Sequence, residues 1–499
     1  MRVLLIILLN FLICTVSIAQ QNVFSKISSK KSRADKLFEN FDYRGALNLY
    51  LEIYENDPVR MDIILQIAES YRKLNDPAQT ASWYEKIVNN EQIASSEHFL
   101  YMAQALLSLQ QYDKADFWLQ KYKSSAGYDD YTFSKSFAYI EKLLTNQDKI
   151  IVELINLNTD KNELCPVIMD NAFVFMSNQE NSNLVKRIDS WTHQPFNNLY
   201  YSDKYNHKYW GQPKTYKVSA SKFNMGPIAF YNNGKAAVFT CNNDKPGKNQ
   251  LKSLQLHFAD VKKGKLQNLN AFPHNEQNSS MGHPAINQVG NLLIFSADVP
   301  GGYGGNDLYY SLNENGQWSL PKNLGNTINT AGDELFPYLH QDSILFFSSN
   351  GRTGIGGLDI FYCSLDQQVN PDTPVNPGYP LNSAYDDFGL AIYTTQTEGY
   401  FTSNRPGKGN DDIYYFQVLQ IPVYLNISGE ESVQLDIYEN GLLKNSYADL
   451  SETLALKLIP GRNYQFKINH KGQDQVINIP VAGLQHINQE FNITSFGSL

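Results

Sequence analysis

Cysteine is scarce: the 499 residues hold four, and Cys14 lies in an apolar leader. The remaining three are widely spaced and cannot supply a disulfide framework. Cys165, Cys241 and Cys363 each sit in or beside an apolar, strand-like run and are expected to be small buried hydrophobes. Basic charge is short as well. The net charge is −9, and no Lys/Arg stripe offsets it, which excludes nucleic acid as a partner. Long apolar runs are missing beyond Val3 to Ile18, which follows Arg2 and ends at the small-residue pattern Ser17-Ile18-Ala19. That run is too short for a spanning helix, so residues 1–19 are expected to be a removed export signal, leaving a mature chain without a transmembrane span. Enzyme signatures are absent too. There is no G-x-S-x-G elbow, no Walker loop and no H-E-x-x-H, and the nine histidines are scattered without metal-ligand spacing. His283, next to Pro284, reads as a structural residue. The expectation is a chain with no catalytic, metal or cofactor-binding residues, hence a non-enzyme.

What is present falls into three regions. Over residues 29–146, apolar positions recur at helical spacing, as in Ile64, Ile67, Ala68 and Tyr71, and proline is nearly absent. Ala34, Ala68 and Ala103 recur at about 34 residues, as do Ala46, Thr80 and Ala115, and Tyr50, Tyr84 and Leu119. Phrases such as Asp42-Tyr43-Arg44-Gly45-Ala46-Leu47 and Gln111-Tyr112-Asp113-Lys114-Ala115 open the second helix of a unit. This pattern resembles the tetratricopeptide repeat, in which small residues sit where antiparallel helices touch and an aromatic fills the adjacent hole. A single such hairpin cannot bury its own apolar face, whereas three stacked hairpins can, and they leave a concave groove. A further helix over about Tyr131 to Leu144 is expected to seal the array.

Residues 150–419 change to short β-rich runs bounded by Gly, Asn, Asp and Pro. Five related strands recur, at Phe173-Val174-Phe175, Val238-Phe239-Thr240, Leu293-Ile294-Phe295, Leu345-Phe346-Phe347 and Tyr400-Phe401-Thr402. Pro166, Pro227, Pro284 and Pro337 precede four of them; the fifth has Gly389 there. A glycine loop and an aspartate follow the last three strands, ending in Asp307, Asp359 and Asp412. These aspartates are expected to accept loop N–H bonds. The loops superficially look like a calcium-binding nonapeptide repeat, but that repeat needs tandem copies, so a structural turn is expected. Phe347-Ser348-Ser349-Asn350-Gly351-Arg352 and Thr402-Ser403-Asn404-Arg405-Pro406-Gly407 resemble the WD40-like PD40 propeller repeat, with Asn350 and Asn404 at the repeat's structural position. The expected fold is a propeller of five four-stranded blades, with six as the alternative, closed by the strand at Ile151 to Ile155.

Residues 421–495 alternate like a small β-sandwich, and Leu458-Ile459-Pro460-Gly461-Arg462-Asn463-Tyr464 resembles a turn of carboxypeptidase-regulatory-like domains. The acids Glu163, Asp333-Glu334 and Asp386-Asp387 occupy equivalent repeat positions, which favours a structural role over an asymmetric glycosidase pair.

Taken in this order, the three regions resemble the PorE-type envelope proteins of Bacteroidetes associated with type IX secretion. Relatives of that type end in an OmpA-like module that this chain lacks, which argues against direct peptidoglycan binding. The resemblance implies a periplasmic or outer-membrane-associated scaffold that binds envelope proteins through the helical groove and a propeller face. The alternative is a propeller that binds carbohydrate or peptidoglycan fragments, in one form as a glycosidase, with Trp191, Trp210 and Trp318 as candidate stacking platforms.

Overall fold

In the computed structural model of the chain, the described residues are 29–90, 93–126, 137–144, 149–170, 172–179, 188–189, 193–205, 209–218, 224–242, 253–262, 264–394, 397–419, 421–428, 433–450, 453–459, 462–470, 473–480 and 489–494. The expected export signal, Trp191, Pro460 and Gly461 lie outside them. The chain divides into two compact units. One comprises the described residues as far as Met102 together with Asp189 and His193; the other comprises the rest. No helix among the described residues is long and apolar enough to cross a membrane.

The helices are α1 (Lys30–Glu39), α2 (Tyr43–Asn56), α3 (Met61–Lys73), α4 (Pro77–Val88), α5 (Ser96–Ser108), α6 (Tyr112–Ala126) and α7 (Phe137–Leu144). Within the first unit they pack in order, α1 on α2, α2 on α3 and α3 on α4. The turn between paired helices is the same object each time. Phe41, Asn75 and Gln110 take left-handed φ values of 61°, 55° and 58°, and the next N–H reaches back to the carbonyl of Leu37, Tyr71 or Leu106. Asp42 and Asp76 then cap the second helix, accepting from Gly45 N–H at 2.8 Å and Gln79 N–H at 3.0 Å. Ala34 and Ala68 are fully buried, as are Tyr50 and Tyr84. The tyrosine hydroxyls are held by the acid after each alanine, Tyr50 donating to Asp35 at 2.8 Å and Tyr84 to Glu69.

In the second unit, β1 (Ile150–Leu154) leads into five sheets. The first is β2 (Glu163–Ile168), β3 (Ala172–Ser177), β4 (Asn198–Asp203) and β5 (Lys214–Thr215). In the second, β6 (Lys217–Val218) joins the far edge of β7 (Met225–Tyr231), β8 (Ala236–Asn242), β9 (Leu254–Val261) and β10 (Lys265–Ala271). The third is β11 (Met281–Ile286), β12 (Leu292–Ala297) and β13 (Asp307–Glu314), with β14 (Gln317–Trp318) and β15 (Lys322–Asn323) on β13. The fourth is β16 (Glu334–His340), β17 (Ile344–Ser349) and β18 (Asp359–Ser364). The fifth is β19 (Asp387–Ile392), β20 (Glu398–Ser403) and β21 (Asp412–Val418). Strand β1 pairs antiparallel with β21, Ile150 opposite Val418, so the start of the ring completes its last sheet.

The first strands meet in a closed cycle, β2 on β7, β7 on β11, β11 on β16, β16 on β19 and β19 on β2. The fold is β-propeller-like. The second strands are apolar on both faces because each sheet lies between two others: Phe173, Phe175, Val238, Phe239, Ile294, Phe295, Phe346, Phe347, Tyr400 and Phe401 are all buried. Among the described residues the fourth sheet has three strands, not four. Its outer position is taken by single bridges, Tyr362 to Val375 and Leu365 to Pro371. Pro371, Pro374 and Pro377 remove N–H donors from that segment, so no continuous ladder forms.

The C-terminal region forms two further sheets from β22 (Ile421–Ser428), β23 (Val433–Glu439), β24 (Leu442–Leu450), β25 (Leu454–Leu458), β26 (Asn463–His470), β27 (Gln473–Pro480) and β28 (Gln489–Thr494). Their orders are β25-β22-β28 and β24-β23-β26-β27. Alternating residues Leu435, Ile437, Leu456, Leu458, Tyr464, Phe466 and Ile468 are buried in one cluster.

Candidate functional site

Each first strand begins with the same hydrogen bond. The residue just before it donates its N–H to a side-chain oxygen at the end of the second strand. The pairs are Asn162 to Asn178 and Asn224 to Asn242 at 2.9 Å, Ser280 to Asp298 at 2.6 Å, and Asp333 to Asn350 and Asp386 to Asn404 at 2.7 Å. This is what Asn350 and Asn404 do. Two residues before each of the last four clamping side chains stands a hydroxyl that reaches the next sheet. Thr240 accepts His283 N–H and Thr402 accepts Cys165 N–H, both at 2.9 Å. Ser296 donates to the Glu334 carbonyl and Ser348 to the Asp387 carbonyl. In the first sheet this position is Met176, which packs in an apolar cluster instead.

The acids weighed as a catalytic pair are consumed locally. Glu163, Glu334 and Asp387 are fully buried. Each accepts from the N–H and hydroxyl of the residue four before it, Thr159, Thr330 or Ser383, at 2.6–2.8 Å. Burial pushes the Glu334 carboxyl up to about 7 and raises Asp387 and Glu163 above the usual carboxylate range. Asp387 also pairs with Arg405 at 2.5 Å.

Asp307, Asp359 and Asp412 each fix a glycine loop, one carboxylate oxygen accepting from Tyr303, Ile355 or Lys408 N–H at 2.5–2.7 Å. Gly302, Gly354 and Gly407 are required there, because a Cβ on any of them would meet that carboxylate. Ala103, in α5, is fully buried. None of these sequence-derived positions lines the concave site of the second unit.

That site is a cavity of about 460 Å3 along the axis of the five first strands, within the range of small-molecule sites. Its wall is Pro166, Pro227, Pro284, Pro337 and Leu390, one from each sheet. The prolines sit at or beside β-bulges in the first strands. At the bulges, Cys165, His283, Phe336 and Gly389 take φ values of 53°, 51°, 51° and 61°, which turns these residues toward the axis. Three rings close the deep end: His283 lies on Phe336 with centroids 4.0 Å apart and planes at 10°, and Phe336 stacks on Phe388 at 4.6 Å. The Phe336 N–H donates to His283 Nδ1 at 3.4 Å, which leaves the proton on Nε2. Burial pushes the His283 pKa down to about 4, so the ring is neutral at physiological pH. At the other end of the strands the mouth is formed by Met169, Asp170, Asn233, Gly234, Gln288 and Thr394. The described lining contains no Lys or Arg, and Asp170 is its one Asp or Glu. Among the described residues no three His, Cys, Asp or Glu side chains are grouped to hold a metal ion.

Of the tryptophan platforms expected from sequence, the two described, Trp210 and Trp318, do not form part of it. Trp210 is buried, stacked on Phe173 at 4.7 Å, and Trp318 is stacked on Phe258 at 5.3 Å, so both pack sheets together. Sequence reasoning found the prolines but missed the cavity; the signal was a proline recurring at one strand position, where the missing N–H marks a bulge.

No family model and no curated protein matches the sequence. Among solved structures, the chain is similar to an endo-arabinase from Bacteroides thetaiotaomicron, at 13% identity and a TM-score of 0.35, over 53% of this chain and 96% of that one. It is similar to an α-L-arabinofuranosidase from Lactobacillus brevis, at 8% identity and a TM-score of 0.33, over 54% and 92%. It is also similar to a protein of unknown function from Dyadobacter fermentans, at 9% identity and a TM-score of 0.32, over 55% and 98%. The expectation of a non-enzymatic scaffold for partner proteins is corrected at this point. The concave feature at the axis is a ligand-sized cavity, not the broad face that docking of a protein requires.

Proposed function

We propose that the second unit is a five-bladed β-propeller that binds carbohydrate in its axial cavity. The observation that carries this reading is the cavity itself: of ligand size, floored by stacked rings and rimmed by polar side chains of which Asp170 is the one charged group described. Sugars present C–H faces that pack on aromatic rings and hydroxyls that exchange hydrogen bonds with amides and imidazoles. His283 Nε2–H, Gln288, Asn233 and Thr394 supply such groups around an apolar wall. The helices of residues 30–126 are proposed to be tetratricopeptide-type pairs, supported by the recurrent turn and alanine positions. Export to a bacterial envelope is proposed on the leader in residues 1–19.

The test is isothermal titration of the full mature chain against a panel of neutral and acidic oligosaccharides. One-to-one binding that falls at least about tenfold in Phe336→Ala, equal to about 1.4 kcal/mol, supports the proposal. Absence of binding across the panel overturns it.

A further inference from the structure

We infer that the cavity takes the uncharged terminus of a saccharide chain, inserted end-on from the mouth; this rests on the carbohydrate reading above. Three observations carry it. First, the axis is blocked. The His283–Phe336–Phe388 stack spans three consecutive sheets. Phe388 and Phe336 also join the cluster that holds Cys165, Met176 and Met225 from the first and second sheets. On that side, a Cβ on Gly389 would already touch the Cys165 backbone. A chain cannot thread past this layer, so a ligand enters and leaves by one opening. Second, the opening lies at the turn ends of the first strands, through Asp170, Asn233, Gln288 and Thr394. A polymer stretched across that opening would reach the rim but not the ring floor, since His283 lies five residues before Gln288 along the chain. Only a terminus brings a sugar face against His283 and Phe336. Third, the described lining holds no Lys or Arg, and Asp170 stands at the mouth. A uronic, aldonic or other carboxylate-bearing terminus would be desolvated there without a partner and repelled on entry.

The test uses the full mature chain and neutral linear hexasaccharides of gluco-, xylo-, arabino-, manno- and galacto-configuration. Each is supplied free, blocked at both termini with a bulky aryl group, and oxidised to a carboxylate at either end. Titration calorimetry is expected to find at least one free chain that binds and to show its affinity falling more than about tenfold on blocking both ends. Oxidation of the inserted end is expected to weaken it comparably. Gln288→Ala, at the mouth and away from the apolar plug, is expected to weaken the same chain, which keeps the test valid should Phe336→Ala fail to fold. Blocked chains that bind as tightly as free ones overturn end-on insertion while leaving carbohydrate binding intact. Oxidised chains that bind equally overturn the preference for an uncharged end. No binding by any free or blocked chain overturns the underlying carbohydrate reading instead.

Discussion

The imidazole of His283 lies nearly parallel to the ring of Phe336, 4.0 Å away, and the two come from corresponding bulge positions in adjacent sheets. A left-handed residue at that position aims its side chain at the axis, so the floor of the cavity is a direct product of backbone conformation. Phe336→Ala is expected to open the floor, reduce saccharide affinity at least about tenfold and leave the circular dichroism spectrum unchanged. Calorimetry on the variant checks it; unchanged affinity would mean the rings do not touch ligand.

His283 is expected to stay neutral through the physiological range. Its folded pKa is depressed to about 4 from 6.5 by burial. A depressed value means the proton binds the unfolded chain more tightly, so this group's contribution to stability is present above about pH 6.5 and is lost as pH falls toward 4. A two-dimensional NMR titration of the imidazole carbons checks it. A midpoint near 6.5 would contradict the packing described.

Glu334 and Asp359 act with the opposite sign. Burial raises them to about 7 and about 8. The folded protein therefore holds these protons more tightly, and their contribution is complete below about pH 4 and is lost as pH rises through 7 to 8. The variants Glu334→Gln and Asp359→Asn are expected to flatten the fall in Tm between pH 5 and pH 8. Calorimetric scans of each variant across that range decide the point, an unaltered slope counting against it.

The clamp from Asn404 to the N–H of Asp386 spans 2.7 Å and recurs in all five sheets. Asn404→Ala leaves that N–H without its partner and is expected to cost about 1–3 kcal/mol. Gly354→Ala places a methyl on the Asp359 carboxylate and is expected to cost about 1–3 kcal/mol through displacement of the loop. Urea unfolding of both variants supplies the numbers; a loss near zero in either would remove that contact from the account.

Much of the architecture was legible from repetition. Ala34, Ala68, Tyr50 and Tyr84 mark helix positions because close helix approach demands a small residue beside a large one. Asp307, Asp359 and Asp412 mark loop exits because a tight turn leaves N–H groups that need an acceptor. The pairing of β1 with β21 followed from the need to cover an edge. Strands β24 and β28 were not legible. Leu442–Leu450 is almost wholly exposed along its length, so it shows no buried alternation to read. The candidate site was missed for a different reason. A cavity lined by one proline or leucine from each of five strands far apart in sequence has no local motif. His283 looks like an isolated histidine until the ring closes and sets it on Phe336. The tryptophans misled because large aromatics bury well between sheets, and Trp210 and Trp318 are used for that.

The most direct measurement is a crystal structure of the protein soaked with the oligosaccharide that binds best in solution. The account predicts electron density for a terminal sugar inside the axial cavity, its face on His283 and Phe336, with the remainder of the chain leaving past Asp170 and Gln288. Sugar bound elsewhere with the axial cavity empty, or lying across the mouth without entering, would contradict it.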